Sequence, residues 1–494
     1  MSGRLLRRSL IAGGGAALAF PAVAMAQDEP SITTVVEELN VTWILVAAVL
    51  VMFMQAGFAF LEIGFSRGKN AGMGIAKILV NFSIASIAWW ACGFALAFGG
   101  AGPIIGDSGF FFSTGSTIGG GLVEGEVTGY TAAFMLFQFM FCAVSLAIVW
   151  GTTLERLKFV AYVIYAVVFA ALIYPLSAHW IFGGGFLGEI GGGVQDFAGS
   201  TVVHLVGATG ALACLLLLGP RRGKYGPDGK PRAIPGHSMP LVGLGVLILW
   251  LGWFGFNGGS TLGTSGSRVA EVMLVTQLGA AAGVIGACLV TYFRTKSLDV
   301  GMAGNGAIAG LVGITAPSGY VEFWAAPIIG LVAGVLVVFA VLAIEKKLDD
   351  PVGALSAHGL AGVWGTLACG LFTSDRLAEL NGIGVPGLFY SGSFEQLGVQ
   401  AVGVGAAFAT VFVLSIATFA AIKATVGLRV DDEAEEAGLD IAEHGMYGYP
   451  EQFIPQPELS GGMFEPKVAG TPIAPVHNDP APARQLAEPQ ATGA

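Results

Sequence analysis

The chain has 494 residues, of which 54% are hydrophobic and only 11% charged, and its formal net charge is −10. Soluble domains carry about 25% charged residues, so this composition excludes an ordinary soluble protein. The sequence also lacks the basic patch that nucleic-acid binding requires. Apolar runs of about 20 residues recur along the chain and predict an all-α polytopic membrane protein.

The N-terminus has the pattern of a secretory signal peptide over residues 1–26. Arg4, Arg7 and Arg8 precede an apolar stretch, and residues 24–26 (Ala-Met-Ala) fit the small-residue cleavage site. A short first membrane helix is the alternative interpretation. The adjacent arginines leave both the general secretory route and the twin-arginine route open.

The apolar runs predict eleven membrane-spanning helices. The spans are expected near residues 42–65, 73–98, 130–151, 159–181, 198–219, 238–257, 270–293, 301–316, 323–344, 355–373 and 398–424. Because small residues let membrane helices pack closely, the 76 glycines of the chain agree with this interpretation.

Loop charges predict the orientation of these spans. One set of alternate loops is basic, whereas the other set holds only Arg268 and Arg376. Basic loops stay on the cytoplasmic side, so the C-terminus is predicted in the cytoplasm and the mature N-terminus outside. The basic loop residues are Arg67, Lys69, Arg156, Lys158, Arg221, Arg222, Lys224, Lys230, Arg232, Arg294, Lys296, Lys346 and Lys347.

Two charged residues fall inside predicted spans near their cytoplasmic ends. Lys77 lies one turn into the second span and is interpreted as reaching, or snorkelling, to the membrane interface. Glu62 is interpreted as a structural ion-pair partner of Lys77 or Arg67, with a transport role as the alternative.

Histidines lie in the middle of two apolar segments, and each follows an aspartate by eight residues. The pairs are Asp196 with His204 and Asp350 with His358. Eight helical residues rise about 12 Å, and the two spans enter a core of about 30 Å from opposite sides. Both imidazoles are therefore expected near the midplane, about 6 Å apart along the membrane normal. This geometry predicts an inverted five-plus-five repeat with a central polar site.

Paired histidines at matched depth favour a pore or a proton relay. The simpler interpretation of either histidine alone is a hydrogen bond between packed helices. A neutral imidazole has one donor and one acceptor nitrogen, so a pair can bond to each other and still solvate a small neutral base. Asp196 and Asp350 are interpreted as structural and electrostatic caps of helix N-terminal amides.

Other site chemistries find no support in the sequence. The five cysteines lie inside apolar runs without disulfide or metal spacing, so no metal and no cofactor are predicted. The chain has no nucleophile–base set and no Walker loop, and the glycine-rich residues 183–193 lack a phosphate-binding frame, so an enzyme is not expected. Residues 427–450 are acidic, and the Pro/Ala-rich residues 451–494 are predicted to be disordered.

Several motifs jointly resemble the ammonium transporter family, the Amt, Mep and Rh proteins, over most of residues 40–450. Each motif is weak alone, and their combination is specific for bacterial Amt-type members. The motifs are Arg67-Gly-Lys-Asn70, Asp196-Phe-Ala-Gly-Ser-Thr-Val-Val-His204, Gly252-Trp-Phe-Gly-Phe-Asn257, Gly259-Ser260, Ala307-Ile-Ala-Gly-Leu-Val-Gly313, Val426-Gly-Leu-Arg-Val430, Gly438-Leu-Asp440 and His444-Gly445.

The resemblance implies a homotrimer of eleven-helix subunits, each with its own narrow pore. It assigns roles to residues that match the family's motifs: His204 and His358 as twin pore histidines, Phe141 and Phe256 as the phenylalanine gate, Ser260 as the hydroxyl of an outer recruitment site, and Thr315 and Trp253 as candidate pore lining. The family often has tryptophan at the recruitment site, where this chain has Phe182, with Trp180 two residues earlier. Phenylalanine is the weaker cation–π partner, so either recruitment is weaker here or another ring supplies the face.

The function implied by this resemblance is ammonium transport. Ammonium would be recruited at the outer site, and ammonia, with or without a relayed proton, would pass the twin histidines. The alternatives are a passive gas channel of the Rh type and an ammonium sensor that signals through a cytoplasmic partner. The resemblance further implies a membrane domain at 27–426, a regulatory segment at 427–450 that packs across subunits, a PII-type partner and a bacterial inner membrane.

Overall fold

A computed structural model describes residues 31–100, 102–113, 129–264 and 267–453. The predicted signal peptide and almost all of the tail predicted to be disordered lie outside these ranges. Within them the chain folds into helices and turns, without an extended strand. The fold is therefore all-α, as the composition predicts.

Eleven apolar helices form the body of the molecule, and they correspond to the eleven predicted spans. Ten have at least 18 residues, and the eighth is shorter, with 16. They are α1 Ile32–Phe65, α2 Gly68–Phe98, α3 Gly129–Gly151, α4 Phe159–Gly188, α5 Ser200–Leu218, α6 Met239–Gly259, α7 Arg268–Thr295, α8 Val300–Thr315, α9 Ala325–Ile344, α10 Leu355–Phe372 and α11 Glu395–Thr425.

Helix α1 begins well before the predicted residue 42. The hydroxyl of Ser31 accepts a hydrogen bond from the Thr34 amide at 3.1 Å and caps the helix there. The residues that follow this cap are largely exposed, including Glu37 and Glu38. The extra turns therefore extend α1 beyond the apolar segment, where hydropathy gives no signal but a cap does.

Helices α5 and α10 begin with the same local structure, which makes the inverted repeat visible in the backbone. Asp196 and Asp350 each accept a hydrogen bond from the amide of a glycine three residues later, Gly199 at 2.8 Å and Gly353 at 3.0 Å. Both glycines have positive φ, 113° and 78°, which an L side chain would resist. A π-helical turn that contains a histidine follows each glycine.

Helices α7, α8 and α9 pack backbone against backbone in the second half. A Cβ atom added to Gly334 of α9 would overlap the carbonyl oxygen of Gly283 in α7. A Cβ atom on Gly283 would overlap the carbonyl oxygen of Gly306 in α8. Glycine is required at these crossings because no larger residue fits, which is the usual device of close membrane-helix packing.

The two ends of the helix bundle carry different polar groups, and we name them by their residues. The vestibule face carries Asp196, Ser260 and Tyr320. The C-terminal face carries the loop around Arg67 and the segment 427–450, which includes the short helices Asp432–Ala437 and Leu439–His444.

The segment 427–450 docks on loops of its own chain. The Asp440 carboxylate accepts hydrogen bonds from the amides of Gly72 at 3.0 Å and Met73 at 2.8 Å, at the start of α2. The Leu439 amide donates to the side-chain oxygen of Asn70 at 2.9 Å. Asp440 and Leu439 therefore dock this segment on the start of α2 and on the loop before it.

A buried ion cluster joins the loops of the C-terminal face. Arg221 donates two side-chain hydrogen bonds to the Asp349 carboxylate, both at 2.9 Å, and its amide donates a third at 2.8 Å. Arg156 donates to the Asp349 carbonyl at 2.8 Å. Burial alone raises the pKa of a carboxyl group, but the bonds from Arg221 and the charges of Arg156 and Arg221 outweigh it and lower the pKa of Asp349 to about 2.

This cluster predicts acid-sensitive stability. The folded-state pKa of Asp349 lies below its ordinary 3.8, so its pairing stabilises the protein above about pH 4, and this contribution is lost as the pH falls through 2. Asp349→Asn is expected to lower the free energy of unfolding by about 2 kcal/mol at pH 7. Thermal unfolding in detergent should show the difference between the variant and wild type narrowing as the pH falls from 4 towards 2.

Glu345→Gln is the matched control for this experiment. Glu345 is more exposed, and its carboxylate lies 3.5 Å from the Lys224 ammonium. Such a pair contributes about 0–1 kcal/mol, so this variant should unfold close to wild type. A difference between Asp349→Asn and wild type that stays constant from pH 7 to pH 2 would contradict the assigned ion pairing.

Candidate functional site

The two histidines of the repeated segments meet at the seam between the halves. The Nδ1 atoms of His204 and His358 are 3.2 Å apart, and their rings are stacked with centroids 5.2 Å apart. His204 is fully buried and His358 nearly so. Each imidazole lies in a π-helical turn at the start of its helix, and the two rings are in contact at the shared seam.

Aromatic and hydroxyl groups hold the His204 ring in place. The indole of Trp253 in α6 stacks on it, with centroids 5.1 Å apart and an interplanar angle of 14°. The Trp253 N–H donates to the Thr315 hydroxyl at 2.9 Å, and that hydroxyl donates to the Leu311 carbonyl at 2.7 Å. Thr315 therefore helps to position His204 indirectly, by holding the indole of Trp253 that stacks on it. The Nε2 atom of His204 has no hydrogen-bond partner among the described residues.

Two phenyl rings cover the histidine pair on the side of the vestibule face. Phe141 of α3 and Phe256 of α6 stack with centroids 4.1 Å apart and an interplanar angle of 9°. Phe256 in turn lies 5.5 Å from the His204 ring. A hydrated ion cannot pass this stack without displacing a ring.

A cavity of about 400 Å³ opens above the stacked rings on the vestibule face. Its lining includes Phe141, Phe182, Asp196 and Ser260. The Ser260 hydroxyl donates to the Phe256 carbonyl at 2.8 Å, so the lone pairs of its oxygen remain available to accept from a cation's N–H groups.

Trp180 lies apart from this cavity, although the sequence grouped it with Ser260 and Phe182. Its indole N–H donates to the Ile104 carbonyl at 2.8 Å, and its ring packs edge-on against Phe186. It is buried and does not line the vestibule cavity, so the structure does not bring it together with Ser260 and Phe182. The reason is local, because residues two apart on a helix project in very different directions.

The buried carboxylate of Asp196 is fully occupied by the backbone. It accepts from the amides of Gly199 and Ser200 at 2.8 Å, Thr201 at 2.9 Å and Val202 at 3.0 Å. Asp350 makes the corresponding contact with the Leu355 amide at 2.8 Å. These bonds satisfy amides at the start of α5 and α10 and fix the turns that carry the histidines.

The sequence interpretation missed polar groups of the vestibule. The side-chain oxygen of Gln138 is buried without a hydrogen-bond partner among the described residues, and Gln138 lines the vestibule with Tyr320 and Asn381. Gln138 precedes Phe141 by three residues and therefore shares its helix face. The sequence signal that could have identified Gln138 is a single amide side chain, three residues before Phe141, inside an apolar run.

The described residues contain no group of three or more His, Cys, Asp or Glu side chains able to hold a metal ion.

A family model for the Ammonium Transporter Family matches residues 42–449. This chain belongs to the ammonium transporter family. The member Amt2 of Archaeoglobus fulgidus is 43% identical over 437 residues, which cover 86% of this chain and 91% of the relative.

Further relatives agree in sequence and in structure. The ammonium transporter of Bacillus subtilis is 34% identical over 406 residues, covering 81% of this chain and 96% of the relative. The solved structure named Sensor Amt Protein superposes with a TM-score of 0.76 at 36% identity, covering 84% of this chain and 100% of the other. Mep2 of Candida albicans gives 0.73 at 30% identity, with 80% and 87% coverage. The comparisons therefore show similarity to transporters of the Amt family and not to enzymes.

Proposed function

We propose that this transporter binds ammonium at the vestibule, releases a proton near the phenyl stack, and passes ammonia along the seam occupied by His204 and His358. The observation that carries the proposal is the contact between the imidazoles, directly behind the stacked Phe141 and Phe256 rings. A fully apolar seam would offer ammonia no hydrogen bond, whereas two neutral imidazoles offer both donor and acceptor nitrogens.

The vestibule suits a small cation that donates hydrogen bonds. The Ser260 oxygen, whose proton is already used, and the unpartnered oxygen of Gln138 are acceptors. The faces of Phe141 and Phe182 add attraction of about 0.5–1 kcal/mol each at a partly exposed site. Potassium has a similar size and charge but no N–H group, so these acceptors orient ammonium more specifically.

The pore beyond the phenyl stack discriminates by chemistry. Potassium cannot lose its charge, and moving a bare cation into an apolar seam is costly. Ammonium can leave its proton behind and enter as a neutral molecule. The imidazole pair then solvates ammonia and can relay the proton through its ring nitrogens.

Ammonium-evoked current in the presence of potassium is the decisive measurement. Purified protein in proteoliposomes on a solid-supported membrane should respond to an ammonium gradient and not to an equal potassium gradient. Equal responses to the two cations would overturn the proposed selectivity. The absence of both current and methylammonium uptake would overturn transport itself.

Phe182→Trp tests the recruitment site. Tryptophan is the strongest cation–π partner, so the apparent affinity for ammonium is expected to rise about threefold to tenfold, with little change in maximal rate. Concentration dependence of uptake measures this effect. Phe186→Trp is the matched control, because Phe186 packs on Trp180 away from the vestibule. An unchanged affinity in Phe182→Trp would move the recruiting ring elsewhere.

The alternatives make different predictions. A passive gas channel of the Rh type gives fast ammonia flux with no current. An ammonium sensor gives ligand binding with little flux, and one structural relative is named Sensor Amt Protein. The hydroxyl and amide acceptors of the vestibule favour cation recruitment over a gas channel.

The assembly and regulation implied by the family also belong to this proposal. We expect a homotrimer in a bacterial inner membrane, with the vestibule face outside and the C-terminal face in the cytoplasm. The segment 427–450 holds the start of α2 through Asp440 and is the expected contact region for a PII-type regulatory protein. Residues 27–426 form the membrane domain of this scheme.

A further inference from the structure

A second, smaller cavity lies on the opposite side of the histidine pair from the vestibule. This inner cavity has a volume of about 20 Å³ and is lined mainly by apolar side chains. Its polar lining residues are Glu62, Asn305 and His358. A volume above about 10–15 Å³ accommodates one water, so the cavity has room for one molecule of water, ammonia or ammonium.

Glu62 lines this inner cavity and has a carboxylate oxygen without a hydrogen-bond partner among the described residues. The residue is 1% exposed and lies in α1. Its Oε2 atom contacts the Lys77 ammonium of α2, and its Oε1 atom has no hydrogen-bond partner among the described residues. A carboxylate accepts up to about four hydrogen bonds, so a purely structural pair would normally use both oxygens.

Lys77 is completely buried, which corrects the expectation that it snorkels to the interface. Its ammonium donates to the Trp150 carbonyl at 3.2 Å and lies 5.6 Å from the centre of the Tyr162 ring. The ion pair with Glu62 holds it inside, because an ammonium paired with a carboxylate costs less to bury than one alone. These contacts hold the Lys77 amino group beside the carboxylate.

A buried ion pair contributes little net stability, because its replacement by apolar side chains is often neutral or stabilising. Ionisable side chains at membrane depth instead mark ion and proton pathways. The charged and titratable groups around Glu62 are Lys77 of α2, Tyr162 of α4 and His358 of α10. Only His358 belongs to the seam through which ammonia passes in the proposed function.

We propose that Glu62 is the proton-carrying group of the inner cavity, taking the proton from His358 and giving it to ammonia. An N–H bond of the His358 imidazolium breaks, and an O–H bond forms on Glu62 through the one water that the inner cavity accommodates; ammonia then replaces that water. That O–H bond then breaks as an N–H bond forms on ammonia. The products are neutral His358, the restored carboxylate and ammonium, whose charge the carboxylate attracts before release.

Lys77 acts in this scheme as a positioning residue. It keeps its proton throughout and prevents the carboxylate from holding the transferred proton too tightly, because a nearby positive charge favours the ionised form of an acid. The inference rests on the proposed function, since it supplies the final step for ammonia that has already passed the histidines.

The test compares ammonium-evoked current and methylammonium uptake in proteoliposomes. Glu62→Gln combined with Lys77→Met removes both charges and nearly preserves volume, so it avoids leaving Lys77 unpaired. The double variant is expected to lose current at least tenfold while remaining assembled in detergent. Arg221→Met with Asp349→Asn is the matched control, since it removes a buried ion pair that does not line the inner cavity, and its current per folded protein should stay within about twofold.

Glu62→Asp keeps the charge pair and separates a relay from a structural role. The shorter carboxylate should retain part of the current and change its dependence on pH between 6 and 8. If the double variant fails to assemble, an aspartate variant with wild-type current and a wild-type pH profile overturns the relay. Wild-type current in an assembled double variant overturns it as well.

Two results distinguish this inference from the proposed function. Wild-type protein that takes up methylammonium without any current would overturn the relay and leave transport intact. Wild-type protein that shows neither uptake nor current would overturn the proposed function, and the inner relay with it.

Discussion

Replacing His204 by aspartate is expected to destroy the discrimination between ammonium and potassium, or to abolish transport. The change exchanges a neutral donor–acceptor ring for a carboxylate at the seam, 3.2 Å from the present position of the His358 nitrogen. A buried negative charge attracts any cation, and its interactions are barely screened. Methylammonium uptake should fall at least tenfold, or a potassium current should arise where wild type has none.

His237→Asp is the control, because it makes the same exchange of histidine for aspartate away from the seam. His237 lies on the C-terminal face, where its ring nitrogens contact the Ser66 carbonyl at 2.9 Å and the Tyr449 hydroxyl at 3.1 Å. Its replacement should leave cation discrimination unchanged. Assembly of both variants is checked by size in detergent. Wild-type uptake and wild-type potassium exclusion in His204→Asp would refute the assigned role of the imidazole.

Asp196→Ala is expected to cause the largest loss of stability of any single change considered. It removes an acceptor from four amides at the start of α5. A buried amide without a partner costs about 1–3 kcal/mol, so the free energy of unfolding should fall by about 4 kcal/mol or more. Uptake should be lost as well, because the turn that carries His204 loses its anchor. Thermal unfolding in detergent and uptake measure the two effects.

Asp299→Ala is the comparison for Asp196. Asp299 caps α8 through one bond to the Met302 amide at 2.9 Å, in an exposed position. Loss of such a cap costs about 1 kcal/mol. Asp196→Ala that unfolded at the same temperature as Asp299→Ala and still transported would show that the four hydrogen bonds to Asp196 do not stabilise the start of α5 as argued.

The sequence predicted the features that depend on hydropathy and on depth in the membrane. The eleven spans follow from the length of the apolar runs, and the meeting of His204 with His358 follows from equal spacing from two opposite faces. Both arguments need only the rise of a helix and the thickness of a bilayer. The stacking of Phe141 on Phe256 required the family resemblance, because 33 phenylalanines give no local signal of their own.

Features that depend on side-chain direction and on partners distant in sequence were out of reach. Lys77 was expected at the interface because its depth alone allows it; Glu62 was one of the ion-pair partners that the sequence suggested, but only the packing of α1 on α2 shows that the pair is buried. Trp180 was grouped with Phe182 by proximity in sequence, whereas the helix directs it towards Ile104. The docking of Asp440 onto Gly72 and Met73 joins residues more than 360 positions apart.

The seam contact between the imidazoles restricts how the molecule can move during turnover. Many carriers built from inverted repeats work by rocking one half against the other. Here one ring comes from each half, and their nitrogens are 3.2 Å apart. A rocking displacement of even a few ångströms would pull the rings out of register. The passage proposed at this joint is therefore suited to a rigid frame in which single side chains rotate aside, with turnover set by ring rotation rather than by whole-domain motion.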